Sequence, residues 1–286
     1  MQPDVALERE RRRERRRTAR WAGKGLAYLP PVLALVSGLI LWEAAVRLFD
    51  VPRYLLPPPS EIIAAARSDS GALLGVHSRV TLMVAAAGLG CSVAAGVILG
   101  ALIHRVQWLR QTLYPLLVIS QTIPVIVLVP LLVVWFGYGL TPKLIIVAIV
   151  CFFPVAVAVV DGLDRADGRL VKLVRSMGAS PGQIFWKVNV PSAAPSLFTG
   201  LRVAATYAVM AAVVSEWMGA DQGLGVYIAR SARSFRIDRV FAGVVLVSLY
   251  SVIAFWLVDA LRKKALPWER LLSDHTNGRG EAGTRK

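Results

Sequence analysis

The chain has 286 residues, 56% of them hydrophobic, and a formal net charge of +15. The apolar excess falls in blocks with no polar stretch long enough for an ordinary soluble domain, so the composition excludes a soluble globular class and points to an all-α, polytopic membrane protein. Lysine and arginine gather at the ends and between the blocks, which suits anionic lipid headgroups and argues against nucleic acid as a partner.

Residues 1–27 form a basic tail with nine Lys/Arg, densest from Arg9 to Arg20. A helix needs about 20 apolar residues to cross the hydrocarbon core. Six stretches qualify, at residues 28–48, 81–103, 112–136, 144–160, 197–218 and 241–258. The first runs past Trp42 with no small-x-small cleavage site, so it is read as an uncleaved span. The two cysteines, Cys91 and Cys151, lie inside apolar blocks and read as packing residues, with no disulfide framework.

In the third span Ser120, Gln121 and Thr122 stand just before Pro124, which predicts a kink. Their polar groups serve either helix–helix hydrogen bonding or a translocation path. In the fourth span Phe152 and Phe153 suit a gate or aromatic packing.

The segment between the fourth and fifth spans, 168–195, is the most informative. Leu170, Leu173, Val174 and Met177 recur at i, i+3, i+4 and i+7, one apolar helical face, with Arg169, Lys172, Arg175 and Ser176 opposite. Gly178 sits where a helix end needs a left-handed residue. Ser180-Pro181-Gly182-Gln183 then reads as a capping box opening a second short helix, which Val190-Pro191 is expected to end. The pair is either an amphipathic element on the membrane surface or a docking element for a partner protein.

In the fifth span, Arg202 near the start is expected to snorkel to the interface. Tyr207, Met210 and Glu216 follow toward the other end. Ala204, Ala205, Ala208, Ala211 and Ala212 permit close packing, expected against a second copy whose fifth span flanks the same pathway.

The basic tail places the N-terminus in the cytoplasm. Six spans return Arg262, Lys263 and Lys264, the 168–195 segment and a C-terminal tail (266–286) to that side. The Arg230, Arg233, Arg236 and Arg239 loop between the fifth and sixth spans is then external, against the positive-inside rule.

No G-x4-G-K-[ST] phosphate loop is present, and His77, His104 and His275 are scattered, so no metal or nucleophile site is read, no cofactor is expected on this chain, and the chain is not expected to be an enzyme. An ion-coupled secondary transporter or a membrane scaffold stays open as an alternative. A secondary transporter, however, needs ionisable groups near mid-membrane, which the span centres lack.

Gly178, nine residues, then Val188-x-Val190-Pro191 resembles the G-x9-I-x-L-P pattern of the EAA loop in binding-protein-dependent ABC importer permeases, with Lys172-Leu173-Val174 in place of Glu-Ala-Ala. The literal Glu43-Ala44-Ala45 falls within the first span. The resemblance covers residues 40–270 and includes LLPPPSE (55–61), SQTIPVIVLVPLLVVWFGYG (120–139), CFFP (151–154), GLR (200–202), FRIDRVFAGVV (235–245) and LPWE (266–269). It implies a MetI-like permease domain over 28–265 in a bacterial inner membrane. It also implies a coupling loop in which Lys172, Leu173, Val174, Met177, Gly178, Ala179, Ile184, Val190 and Pro191 meet a dimer of separate ATPase subunits that use ATP and Mg. An extracytoplasmic binding protein and a second permease copy are further implied partners. The segments at 120–124 and 151–154 look closest to the thiamine-pyrimidine-precursor branch, with sulfonate, taurine and nitrate importers next.

Overall fold

The computed structural model describes residues 30–217 and 220–268; the basic tail 1–27 and the C-terminal tail beyond 268 lie outside these. Among the described residues every regular element is helical. The chain divides into two compact units, Met1–Ala65 and Ala66–Lys286.

In the first unit, α1 (Pro30–Leu48) is long and apolar enough to cross a membrane. Near its end Glu43 pairs with Arg47 at 2.6 Å, one turn on. The same carboxylate accepts from the amide and hydroxyl of Ser60, at 3.0 and 2.8 Å, where α2 (Pro59–Ser68) begins. The Glu43-Ala44-Ala45 triplet thus belongs to a local clasp between two helix ends.

In the second unit a π-helical turn, Gly71–His77, runs directly into α3 (Ser78–Arg105). Then come α4 (Gln107–Ser120), α5 (Val125–Phe136), α6 (Leu140–Asp164) and α7 (Gly168–Ser176). They are followed by α8 (Pro181–Ile184), a second π-helical turn (Phe185–Asn189), α9 (Val190–Glu216), α10 (Leu224–Arg233) and α11 (Ile237–Ala265). Among the described residues five helical runs are long and apolar enough to cross a membrane, and the α4/α5 pair makes a sixth if taken as one broken span. The second, fourth and sixth spans are longer at both ends than predicted, and the fifth starts earlier, because helices continue through polar ends that hydropathy excludes.

The third predicted span is not one kinked helix, because α4 and α5 meet at 98°. The amides of Gln121, Thr122 and Ile123 bond three residues back, to Val118, Ile119 and Ser120, which tightens the last turn. Pro124 has no amide to continue the ladder and adopts an extended ψ of 111°. The hydroxyls of Ser120 and Thr122 turn onto the carbonyls of Leu117 and Ile119, at 2.8 Å each.

The core is the contact of α3, α6 and α9. Gly88, Ser92, Gly96 and Gly100 recur every fourth residue and form one stripe of small residues on α3. A Cβ at Gly96 would lie 2.9 Å from Val155, and one at Gly100 2.8 Å from Val159, so only glycine lets the two backbones approach this closely. Water-driven burial is weak between helices in lipid, and close packing of small residues supplies dispersion contacts in its place. Ser92 adds a hydrogen bond to the Ala148 carbonyl at 2.9 Å, and the Cys151 thiol one to the Ala204 carbonyl at 3.2 Å. Ala204, Ala208, Ala211 and Ala212 join this core, and Ala205 is buried as well. The alanines therefore pack inside their own protomer and do not form a face for a second copy. Cys91, expected to pack, is exposed.

Arg202 does not snorkel. It reaches Asp259 of α11 at 3.2 Å and lies over the Phe255 ring, 5.5 Å from its centroid. Asp259 also holds Lys263 at 2.6 Å, so it keeps a partner when Arg202 is removed, whereas removing Asp259 leaves Arg202 without its carboxylate. Asp259→Leu is expected to lower the thermal unfolding midpoint in detergent by several degrees and Arg202→Leu by less, with the double variant recovering part of the Asp259→Leu loss. A double variant no better than the worse single would show that the pair is not coupled.

Two of the unexplained arginines are also paired, Arg236 with Asp238 at 2.9 Å and Arg239 with Asp69 at 3.0 Å. Asp69 further accepts from the Tyr227 hydroxyl at 2.9 Å. Burial, then the Asp69 contact, pushes that phenol above its ordinary range, so it remains a donor. Arg230 and Arg233 stay exposed.

Candidate functional site

Three pieces of geometry bear on function: a helix elbow, a cavity along α6 and α9, and a buried carboxylate.

The elbow forms as its local signals predict. The Asp167 side chain accepts from the Arg169 amide at 2.8 Å and starts α7. Gly178 takes φ +84°, with Ala179 N–H bonded to the Val174 carbonyl and Gly178 N–H to that of Arg175. This is a Schellman closure, which satisfies carbonyls that a helix end otherwise leaves open. The capping box is complete: Ser180 N–H donates to Gln183 Oε1 at 2.9 Å, and Gln183 N–H to Ser180 Oγ at 3.3 Å. Leu173, Met177 and Trp186 are 58%, 78% and 69% exposed, an apolar edge that nothing among the described residues covers. Lys172 is exposed, Val174 and Ala179 are half-buried, and Ile184 is buried.

The expected stop at Val190-Pro191 is absent. Helical backbone continues from Pro181 to Glu216 without a break, 36 residues in all. Pro191 falls in the first turn of α9, just after the Phe185–Asn189 π-turn, where the Val190 amide bonds the Phe185 carbonyl five residues back. The wider turn makes room for the proline ring, so it does not break the helix. The second half of the elbow is thereby the beginning of α9.

A cavity of about 550 Å³ follows α6 and α9, lined by Gln121, Phe153, Thr199, Gly200, Tyr207 and Pro154 among others. Its wall is tight, because a Cβ at Gly200 would collide with the Pro154 carbonyl and Ala158. Asp161, Arg165 and Arg262 also line it. Asp161 stands eight residues beyond Phe153 on α6, about 12 Å along the axis. Of the predicted pathway residues, the cavity thus gathers Gln121, Phe153 and Tyr207. Ser120 and Thr122 are spent on helix carbonyls, and Pro124 shapes the break. Phe152 meets Phe153 edge-on at 5.5 Å. Met210 is exposed on the same side of α9 as Tyr207 but does not line the cavity.

Sequence reading missed a polar junction near this end. Asp164 holds His104 at 2.8 Å and Arg110 at 2.6 Å, and Asp161 faces the Tyr114 hydroxyl at 3.4 Å, so the ends of α3, α4 and α6 are joined. The available signal was Asp161 and Asp164 three residues apart, on one helical face.

Glu216, predicted on the pathway, is fully buried and belongs to a structural knot. It accepts from the Thr81 hydroxyl and the Gly225 amide, both at 2.8 Å. Thr81 accepts in turn from the Leu224 amide at 2.8 Å, and His77 Nδ1 from that of Gly223 at 3.1 Å. Side chains at 223 or 225 would strike the Glu216 carboxylate or the Val213 carbonyl. A second cavity, about 460 Å³, borders Glu216 itself and includes Tyr138, Trp217, Arg230 and Arg233. Among the described residues no group of three His, Cys, Asp or Glu is placed to hold a metal ion.

The family described as "Binding-protein-dependent transport system inner membrane component" matches residues 92–266. The formylaminopyrimidine transport permease protein ThiX of Halalkalibacterium halodurans is 37% identical over 242 residues, covering 85% of this chain and 96% of that protein. The riboflavin transport system permease protein RibX of Chloroflexus aurantiacus is 31% identical over 250 residues, covering 87% and 91%. Among solved structures, an inward-facing MetNI methionine ABC transporter shares the fold, with a TM-score of 0.60 at 21% identity over 67% of this chain and 95% of that one.

Proposed function

The chain belongs to the inner-membrane permease family of binding-protein-dependent ABC importers, and from that premise we propose that two copies enclose a pathway for an aminopyrimidine precursor of thiamine. Family membership sets aside the ion-coupled carrier and the scaffold. In this reading an extracytoplasmic binding protein delivers the solute, and a pair of separate ATPase subunits, using ATP and Mg, seats on the elbow. The elbow and both termini then face the cytoplasm, in keeping with the Lys/Arg-rich tail.

The observation that carries the reading is the unbroken helix from Pro181 to Glu216. One end of it abuts the exposed elbow, and Thr199, Gly200 and Tyr207 on the same helix line the cavity. A partner that grips the elbow therefore moves a cavity wall as a rigid lever, without relying on a flexible loop. The exposed face of α9, with Val203, Tyr207 and Met210 at 42%, 45% and 55% exposure, is available to a second copy across the pathway.

The substrate choice rests on the resemblance to the formylaminopyrimidine permease and on the part of the cavity around Gln121, Phe153, Thr199 and Tyr207, which is uncharged, whereas Asp161, Arg165 and Arg262 charge the rest of its lining. The test is reconstitution of permease, ATPase and binding protein in lipid vesicles. Binding protein loaded with formylaminopyrimidine should stimulate ATP hydrolysis and solute accumulation, whereas taurine, alkanesulfonate and nitrate should not. Stimulation by one of those anions and not by the pyrimidine would overturn the substrate. Failure of any ATPase to co-purify would overturn the elbow's role.

A further inference from the structure

Gln121 occupies an unusual position. It sits in the 98° break between two apolar helices, where non-helical backbone is tolerated at membrane depth only if it is buried in protein or lines a cavity. Its neighbours' hydroxyls are tied to helix carbonyls, but the Gln121 side-chain amide is exposed to the cavity and makes no hydrogen bond among the described residues. A free amide there has both a donor and an acceptor to offer, at a place where water is scarce and an unmade hydrogen bond is costly.

The surrounding groups limit what it can receive. Phe153 presents an aromatic ring, and Tyr207 a hydroxyl with no partner among the described residues. Thr199 has directed its hydroxyl hydrogen to the Pro195 carbonyl at 3.0 Å, so its oxygen remains an acceptor. The formal charges, Asp161, Arg165 and Arg262, enter from other turns and helices. A planar, uncharged ring with a donor beside an acceptor fits this set. An aminopyrimidine has that edge, an exocyclic amino group next to a ring nitrogen, the same pattern that glutamine reads bidentately on adenine. The ring face is left for aromatic stacking.

We propose that Gln121 is a specificity-determining residue of a substrate site within the membrane, one that reads the amino and ring-nitrogen edge of an aminopyrimidine after the binding protein has released it. This rests on the substrate reading above and adds a second selection step to it. The Pro124 break holds the amide out of the helix, and the α6–α9 contact at Gly200 keeps the facing wall from shifting.

The test uses the purified permease–ATPase complex without binding protein. Equilibrium dialysis compares 4-amino-2-methylpyrimidine with 2,4-dimethylpyrimidine, which replaces the amino group by a methyl of similar size. The wild-type complex is expected to prefer the amine about tenfold, the discrimination of one good bidentate pair. Gln121→Leu should bind both probes equally, and Gln121→Asn should keep part of the preference. A general structural defect would weaken both probes together and leave their ratio unchanged. Equal affinities in the wild type, or a preference that survives in Gln121→Leu, would overturn the assignment. Vesicle uptake separates the two levels. If the complete wild-type system accumulates no aminopyrimidine, the proposed substrate fails and this site with it. If it does accumulate one and the Gln121→Leu ratio is unchanged, only the Gln121 site fails.

Discussion

Gly178→Val is expected to reduce ATP-driven uptake to background while leaving membrane insertion and helix content unchanged. Nothing lies within 4 Å of a Cβ at this position, so the valine collides with no neighbour. The cost is in the backbone: φ is +84°, and a left-handed conformation costs an L-residue about 1–2 kcal/mol, with β-branched side chains the worst tolerated. That is too little to unfold a bundle held by the α3–α6–α9 core. It is enough to open the Schellman closure at Val174 and Arg175, which has no other support. The axis of α7 then turns relative to α8, and the Leu173, Met177 and Trp186 edge no longer forms one surface. Asparagine tolerates the left-handed region, so Gly178→Asn should retain a large part of the uptake. Co-purification of the ATPase and solute uptake are the two measurements. Normal uptake with valine would remove the elbow from the coupling path.

The second large effect belongs to Glu216→Ala. Truncation leaves the Gly225 amide buried without its acceptor and the Thr81 hydroxyl with only the His77 carbonyl at 3.2 Å, and opens a void between α3, α9 and α10. The expected loss is about 2–5 kcal/mol of stability, since each unpaired buried group costs about 1–3 kcal/mol. Glu216→Gln keeps an acceptor oxygen and nearly the same volume and should lose much less. Gly225→Ala attacks the same knot from the other side, because its Cβ would strike the Val213 carbonyl, and should resemble Glu216→Ala. Thermal unfolding in detergent and hydrogen exchange at the Gly225 amide measure these effects. An alanine variant with wild-type stability and protection would show that the knot is dispensable.

The elbow was legible from residues 167–183 because every signal in it is local. A left-handed glycine and a capping box each act over five residues or fewer, and both form as read, while the Asp167 N-cap of α7 is an equally local signal that the sequence reading left unused. Misreadings arose where one residue serves two structural contexts. Pro191 reads as a helix stop, yet the π-turn before it lets the helix pass. Pro124 reads as a kink, yet the tightened turn at 121–123 makes it a corner. The alanines of α9 read as a face for another subunit, and Arg202 as a snorkelling end group. Their partners lie far along the same chain, 53 residues apart for Cys151 and Ala204 and 57 for Arg202 and Asp259.

Composition and spacing by themselves determined that this is a polytopic all-α membrane protein with a capped elbow, because hydropathy and helix-end signals are properties of neighbouring residues; that the elbow is of importer-permease type came from the resemblance of its motif. Only the tertiary structure decided that Glu216 is a buried knot, that Gln121 alone of its polar trio faces a cavity, and that elbow and cavity share one helix. Those outcomes depend on which distant backbones approach closely enough to satisfy, or leave open, a polar group in lipid, and no local pattern encodes that distance.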